Sequence, residues 1–139
     1  MPIQPKGASG IKGYILINEK FIEGLQDLEG FSHIYLLYSF HKTTRTELLV
    51  TPFMDNQIRG VFSTRSPLRP NHIGISVVQL EKIEGNKIII EDIDILDGTP
   101  LLDIKPYIEK FDAVKESASG WLKASDKTIR KRRSDNRFK

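Results

Sequence analysis

The 139-residue chain contains no cysteine, which excludes a disulfide framework, a thiolate metal site and a cysteine nucleophile. No apolar run approaches the ~20 residues needed to cross a bilayer as a helix. The opening Met1-Pro2-Ile3-Gln4-Pro5-Lys6-Gly7 lacks the apolar segment of a secretory signal. These absences predict a cytoplasmic protein with no membrane segment. No internal repeat, low-complexity tract or βαβ alternation is visible either. Gly7-Ala8-Ser9-Gly10-Ile11-Lys12-Gly13 has the wrong spacing, and no preceding strand, for a dinucleotide-type glycine turn. Ser63, His72 and Asp97 are all present, but no spacing suggests a nucleophile elbow.

What is present is an uneven distribution of charge. Residues 123–139 hold eight Lys and Arg against Asp126 and Asp135, a net of +6, so a total of +3 leaves residues 1–122 at −3. A basic block on a mildly acidic body points to a solvated tail that meets polyanions, RNA first among them. Two units follow: a domain over residues 1–122 and a basic C-terminal tail over 123–139.

Residues 11–17 alternate as a short strand does. Phe21, Ile22, Leu25 and Leu28 approach helical spacing before Gly30, which predicts a short helix or turn. Residues 33–40 are aromatic-rich and apolar on both faces, as in a central buried strand. Further strands are expected over residues 47–52, 75–83, 88–96 and 101–104. Glu84-Gly85-Asn86-Lys87 is read as a hairpin turn and Asp97-Gly98-Thr99-Pro100 as a tight turn. Residues 126–139 lack an apolar face and are expected to stay largely unstructured. Many short strands, short turns and one helix predict a mainly β fold, a single small β-barrel of mostly antiparallel strands.

Between residues 60–64 and the strand beginning near Ile75 lies Arg65-Ser66-Pro67-Leu68-Arg69-Pro70-Asn71-His72-Ile73-Gly74. Pro67 and Pro70 fix their own φ and bias Ser66 and Arg69 towards extended geometry, while Gly74 allows a turn or a close backbone approach. The loop has little entropy to lose on binding. It carries two guanidinium forks suited to carboxylates and phosphates, so it is a binding-site candidate.

Residues 61–74, Val61-Phe62-Ser63-Thr64-Arg65-Ser66-Pro67-Leu68-Arg69-Pro70-Asn71-His72-Ile73-Gly74, resemble the signature of the TsaA-like (YaeB-type) family of S-adenosylmethionine-dependent tRNA methyltransferases. Two further segments agree: residues 24–33 leading to Phe40-His41, and residues 96–107, which begin Leu96-Asp97-Gly98-Thr99-Pro100. The resemblance implies a single β-barrel domain and S-adenosyl-L-methionine as cofactor, with no metal required. Its cofactor-contacting positions fall on Pro2, Ile3, Gln4, His41, Lys42, Arg65, Ile75, Leu96, Asp97, Gly98 and Thr99. Ile3 stands where the family's Pro-Arg-Gln-Pro element has arginine, and the family usually has a strand before that element. A barrel lacking that strand would leave an edge to be covered, and the family implies homodimers in which both chains shape the site.

The function so implied is methyl transfer to an adenine N6 of tRNA, the threonylcarbamoyl-modified adenosine beside the anticodon. Arg69, Arg130, Lys131, Arg132 and Arg133 are the candidate RNA contacts, with Arg45 and Arg59 as further basic groups on the body. Arg65 suits either the cofactor's carboxylate or a nucleic-acid phosphate. His41 and Asp97 are the candidate general bases, because the N6 proton has to leave. The alternative is a barrel that binds S-adenosylmethionine or RNA without transferring a methyl group. Ordinary structural readings account for His33 within its aromatic strand, for Asp103 and Lys105 on a solvated strand face, and for Trp121 as a packing residue.

Overall fold

The structure, a computed structural model, describes residues 12–122 except 54 and 92. Pro2, Ile3 and Gln4, and the basic group Arg130, Lys131, Arg132 and Arg133, lie outside the described residues. Among the described residues seven strands are formed: β1 (Lys12–Leu16), β2 (His33–Ser39), β3 (Leu49–Val50), β4 (Arg59–Gly60), β5 (Ile73–Glu84), β6 (Lys87–Glu91) and β7 (Leu101–Pro106). A single helical turn, α1 (Glu109–Asp112), follows β7. Five strands make one sheet in the order β1-β6-β5-β2-β7, every neighbouring pair antiparallel, while β3 and β4 pair separately.

Strict alternation decides which face is buried. Ile34, Leu36 and Tyr38 of β2, Val78 and Leu80 of β5, and Ile88 and Ile90 of β6 meet in one core. Gly74 and Ser76 of β5 face the same way. Burying each such isoleucine is worth about 1.5–3 kcal/mol, which ties the three central strands together. Ile15, Ile17, Leu25 and Leu28 pack on from β1 and the turns that follow it. The opposite face of β2 and β5 stays half-open, with Ile73 and Ile75 exposed.

Four expectations change. The barrel does not close: β1 and β7 are the two edges of an open sheet, and the β3–β4 ribbon pairs only with itself, so nothing among the described residues bridges them. The short helix or turn expected over residues 21–28 takes the form of two 3-10 segments, Glu19–Leu25 and Leu28–Gly30. Asp27 between them has φ 68°, which no helix can continue through. The one short α-helix sits instead at α1, in a stretch whose sequence carries no clear pattern. Finally, the strand expected over residues 88–96 stops at Glu91; Ile93 and Ile95 still pack against the core, but from outside the ladder.

Candidate cofactor site

The loop from Thr64 to His72 is cross-braced by its own polar groups. Thr64 Oγ1 donates to the Val61 carbonyl at 2.8 Å and accepts from the Ser66 amide at 3.2 Å. Ser66 Oγ accepts from the Leu68 amide at 3.1 Å. Arg69 Nη1 donates to the carbonyls of Thr64 at 2.8 Å and Ser66 at 3.1 Å. Leu68 is buried with Val50 and Val61 in a second, small core. His72, at φ 50°, occupies the left-handed region that a non-glycine residue adopts only when its surroundings impose it. Here its ring Nδ1 lies 3.0 Å from the Pro67 carbonyl, its amide donates to the Arg69 carbonyl, and its own carbonyl accepts from the Phe40 amide at 2.8 Å. Two prolines make the loop stiff; this network gives it a single shape.

The end of β2 is where the separate motifs meet. Phe40 bonds to His72 on one side, and the Ser39 amide donates to the Pro100 carbonyl at 3.0 Å on the other. The Asp97–Pro100 turn is closed by Thr99, whose amide and Oγ1 both donate to the Leu96 carbonyl, at 3.2 and 2.6 Å. Gly98 has φ 80°, a conformation glycine adopts without strain. His41 and Lys42, directly after Phe40, are exposed, as are Arg65, Leu96 and Asp97, while Ile75 opens onto the exposed sheet face. One end of the sheet therefore gathers cations, a carboxylate and two apolar side chains from three segments distant in sequence.

Beneath this end lies a polar chain that the motifs do not reveal. Tyr38 Oη and Ser76 Oγ are 3.0 Å apart, both residues buried, and Ser76 Oγ donates to Asp94 Oδ1 at 3.4 Å. Burial pushes the Asp94 carboxyl up to about 6, against the smaller opposing effects of its own backbone amide and the Ser76 hydroxyl. Tyr38 is raised as well, chiefly by burial, against the opposing effect of its hydrogen bond with Ser76. Gly74, the cross-strand partner of Tyr38, makes room for it: a Cβ there would lie 2.5 Å from Tyr38 Cε2 and 2.8 Å from Phe40 Cζ. The only sequence signal for this chain was a polar residue at each of three strand-like positions.

Other residues take structural roles. Trp121 Nε1 donates to the Ser63 carbonyl at 2.8 Å beneath the Arg59 guanidinium, which itself pairs with Asp55 at 2.6 Å. This pins the end of the described chain to the entry of the Arg65 loop. His33 bonds to Ser32 and meets the Tyr107 ring edge-on. Asp103 and Lys105 form an exposed pair at 3.0 Å on β7. Ser63, His72 and Asp97 bond separately or point to solvent, so no triad is formed. Arg69 spends Nη1 inside the loop, which leaves its remaining donors for any RNA contact.

Comparison with known proteins decides the family. The model of the tRNA-methyltransferase O N-terminal domain matches residues 1–113. The chain belongs to that family. It is 50% identical over 138 residues to a Pyrococcus abyssi protein named "Probable S-adenosyl-L-methionine-binding protein", covering 99% of this chain and 75% of that one. It is 40% identical to the human tRNA (adenine(37)-N6)-methyltransferase, over 81% of this chain but 27% of the human protein. The crystal structure of TrmO from Pseudomonas aeruginosa superposes with a TM-score of 0.72 at 40% identity, over 88% of this chain and 54% of that one. The chain thus corresponds to about half of the TrmO chain and to a smaller part of the human enzyme.

Proposed function

We propose that this protein uses S-adenosyl-L-methionine to methylate an adenine N6 in tRNA, the threonylcarbamoyl-modified adenosine beside the anticodon. The observation that carries the reading is the convergence of His41-Lys42, the Arg65 loop and the Leu96–Thr99 turn at one end of the sheet, bound together through Ser39 and Phe40. Membership in the methyltransferase family supports the same chemistry. The donor set suits this cofactor. Arg65 offers a fork to its carboxylate, Asp97 an acceptor for its amine, and Ile75 and Leu96 apolar surface for its base. Pro2, Ile3 and Gln4 complete the contacts in this reading. The sulfonium supplies an electrophilic methyl group.

The protein's task is then alignment and proton removal. Loops fixed by internal hydrogen bonds hold their groups at little entropic cost, and positioning alone can supply much of the acceleration. An acylated N6 is a better acid than a free amine, so an exposed carboxylate or imidazole, Asp97 or His41, is the candidate to take its proton. Arg69 and the basic residues 130–133 serve tRNA in this reading, which sets the protein in the cytoplasm. The open edges β1 and β7 favour a homodimer that covers one of them. Sedimentation that finds only monomer at micromolar concentration removes the dimer from the reading.

The deciding experiment is incubation with labelled cofactor and bulk tRNA, followed by nucleoside analysis. Label on a modified adenosine supports transfer. Cofactor retained without label in tRNA supports a binding protein instead.

A further inference from the structure

The chain takes a long way round to its basic tail. β7 starts at the site end of the sheet, where Leu101 pairs with Tyr38. It finishes at the other end, where Pro106 pairs with Ile34 and the Tyr107 amide donates to the His33 carbonyl at 3.1 Å. The seven residues of β2 separate these ends by about 20 Å, at about 3.3 Å per residue. The Arg65 loop joins the sheet at the site end, through the bond between Phe40 and His72, so α1 leaves the sheet at the end remote from it. A tail that began at α1 would have to cross that distance before meeting anything bound at the cofactor site.

Residues 111–120, all exposed, bring the chain back, and Trp121 and Leu122 are then half-buried. Extended, residues 113–120 can span about 26–29 Å, enough for the return. Trp121 Nε1 donates to the Ser63 carbonyl at 2.8 Å, and the Arg59 guanidinium, paired with Asp55 at 2.6 Å, lies over the ring at 5.4 Å. Ser63 is itself fixed, its hydroxyl donating to the Gly60 carbonyl at 2.8 Å, and the Thr64 carbonyl beside it accepts from Arg69. The indole belongs to neither apolar core. What it fixes is a point of the chain: bonded to a residue two places before Arg65, and two places before Lys123, where the basic block begins.

We infer that Trp121 is a positioning residue for tRNA: its latch on Ser63 and Arg59 moves the root of the basic tail from the far end of the sheet to the Arg65 loop. Arg130, Lys131, Arg132 and Arg133 then meet the phosphates of a tRNA whose adenosine lies at the cofactor site. The latch matters only if those four residues contact tRNA, as the functional reading above holds. Tether length sets the size of the effect. The four cations lie 9–12 residues beyond Trp121 but 18–21 beyond Asp112, the last residue of α1. Doubling a tether lowers effective concentration about threefold by the −3/2 power of its length, and setting its root about 20 Å further off lowers it more.

The test is filter binding of bulk tRNA to the full chain in five forms: wild type, Trp121→Ala, Trp121→Phe, a tail variant combining Arg130→Gln, Lys131→Gln, Arg132→Gln and Arg133→Gln, and that tail variant with Trp121→Ala added. Calorimetric titration of S-adenosylmethionine and thermal denaturation run alongside. Trp121→Ala should bind tRNA about three- to tenfold more weakly than wild type. Trp121→Phe, which keeps a ring under Arg59 but has no N–H to donate, should lose less in the same direction. In the tail variant Trp121→Ala should cause no further loss, because the latch acts only through those cations. A loss of equal size in both backgrounds means that Trp121 acts on RNA without the tail and overturns the inference, as does a Trp121→Ala variant that binds tRNA like wild type. A parallel fall in S-adenosylmethionine affinity also overturns it, because the latch would then brace the Arg65 loop instead. If Trp121→Ala fails to fold, Trp121→Phe made in both backgrounds decides. A tail variant that binds tRNA as tightly as wild type overturns the RNA reading of the tail, and the latch's role with it.

Discussion

Gly74→Ala is the sharpest probe of how the site is supported. The added Cβ would stand 2.5 and 2.7 Å from Tyr38 Cε2 and Cζ and 2.8 Å from Phe40 Cζ, all closer than carbon atoms can approach. Neither ring can simply swing aside. Tyr38 is held by its bond to Ser76, and the two rings pack edge to face with centroids 5.5 Å apart. Overpacking a formed core costs about 1–3 kcal/mol, and three contacts against two anchored rings argue for the upper end. Alanine recovers about 0.4–1 kcal/mol by restricting the unfolded chain, so the net loss should be about 2 kcal/mol. For a domain of this size that corresponds to a fall in Tm of roughly 6 °C. Gly60→Ala is the control, since a Cβ there meets nothing within 4 Å and its φ of −66° suits alanine; it should leave Tm unchanged or slightly raised. Urea denaturation of both variants with equal m-values would keep the comparison free of unfolded-state effects. If Gly74→Ala is as stable as Gly60→Ala, the aromatic pair does not depend on the missing side chain and the packing argument fails.

Three further outcomes are expected. Arg65→Ala should weaken S-adenosylmethionine binding by about 1.5–3 kcal/mol, the range for a hydrogen bond to a charged group, and unchanged calorimetric affinity in a folded variant would remove Arg65 from the site. Because burial raises Asp94 to about 6 from an ordinary value of 3.8, the folded state holds a proton that the unfolded state has lost between those values, so stability declines as pH rises through that window. Asp94→Asn should therefore match wild type at pH 4 and exceed it at pH 8 by about 1–2 kcal/mol, allowing for solvent screening of a half-exposed group; equal stability at both pH values in chemical denaturation would refute this. Deleting residues 127–139 removes seven basic groups and only Asp135 among the acids, and should flatten the dependence of tRNA affinity on salt by up to about 0.9 per lost phosphate contact, while equal slopes would show that the tail makes no phosphate contacts.

Local chemistry was legible wherever it depends on nearest neighbours. The Pro67 and Pro70 loop is stiff, Gly85-Asn86 turns the β5–β6 hairpin, and Gly98 closes its turn at positive φ, all as residue types alone require. β2 was readable as a buried strand because its apolar residues fill both faces. What the sequence could not disclose was closure. Whether strands form a barrel depends on pairing between the first and last of them, and alternation in residues 12–16 and 101–106 looks the same in a closed barrel and at an open edge. The choice between helix and turn over residues 21–28 was open for a different reason. Leu25 and Leu28 do pack on the core, but a left-handed Asp27 divides the segment, and 3-10 turns satisfy the same apolar spacing over so short a span.

The Tyr38-Ser76-Asp94 chain was hidden by one further step. In Ile93-Asp94-Ile95-Leu96 the aspartate sits between isoleucines, and on a continuing strand the period of two would set it opposite them, towards solvent. That inference requires the ladder to continue, and β6 ends at Glu91. Beyond it the backbone is free to turn, so Ile93, Ile95 and Asp94 can all reach inward, the first two onto the core and the third onto Ser76. The same departure carries the chain towards the Leu96–Thr99 turn. A strand three residues longer would have kept Asp94 in the ladder register and away from Ser76. The position of the break thus sets a costly carboxyl just before the turn proposed to hold the cofactor, and Asp94→Asn should make the protein more stable above pH 6.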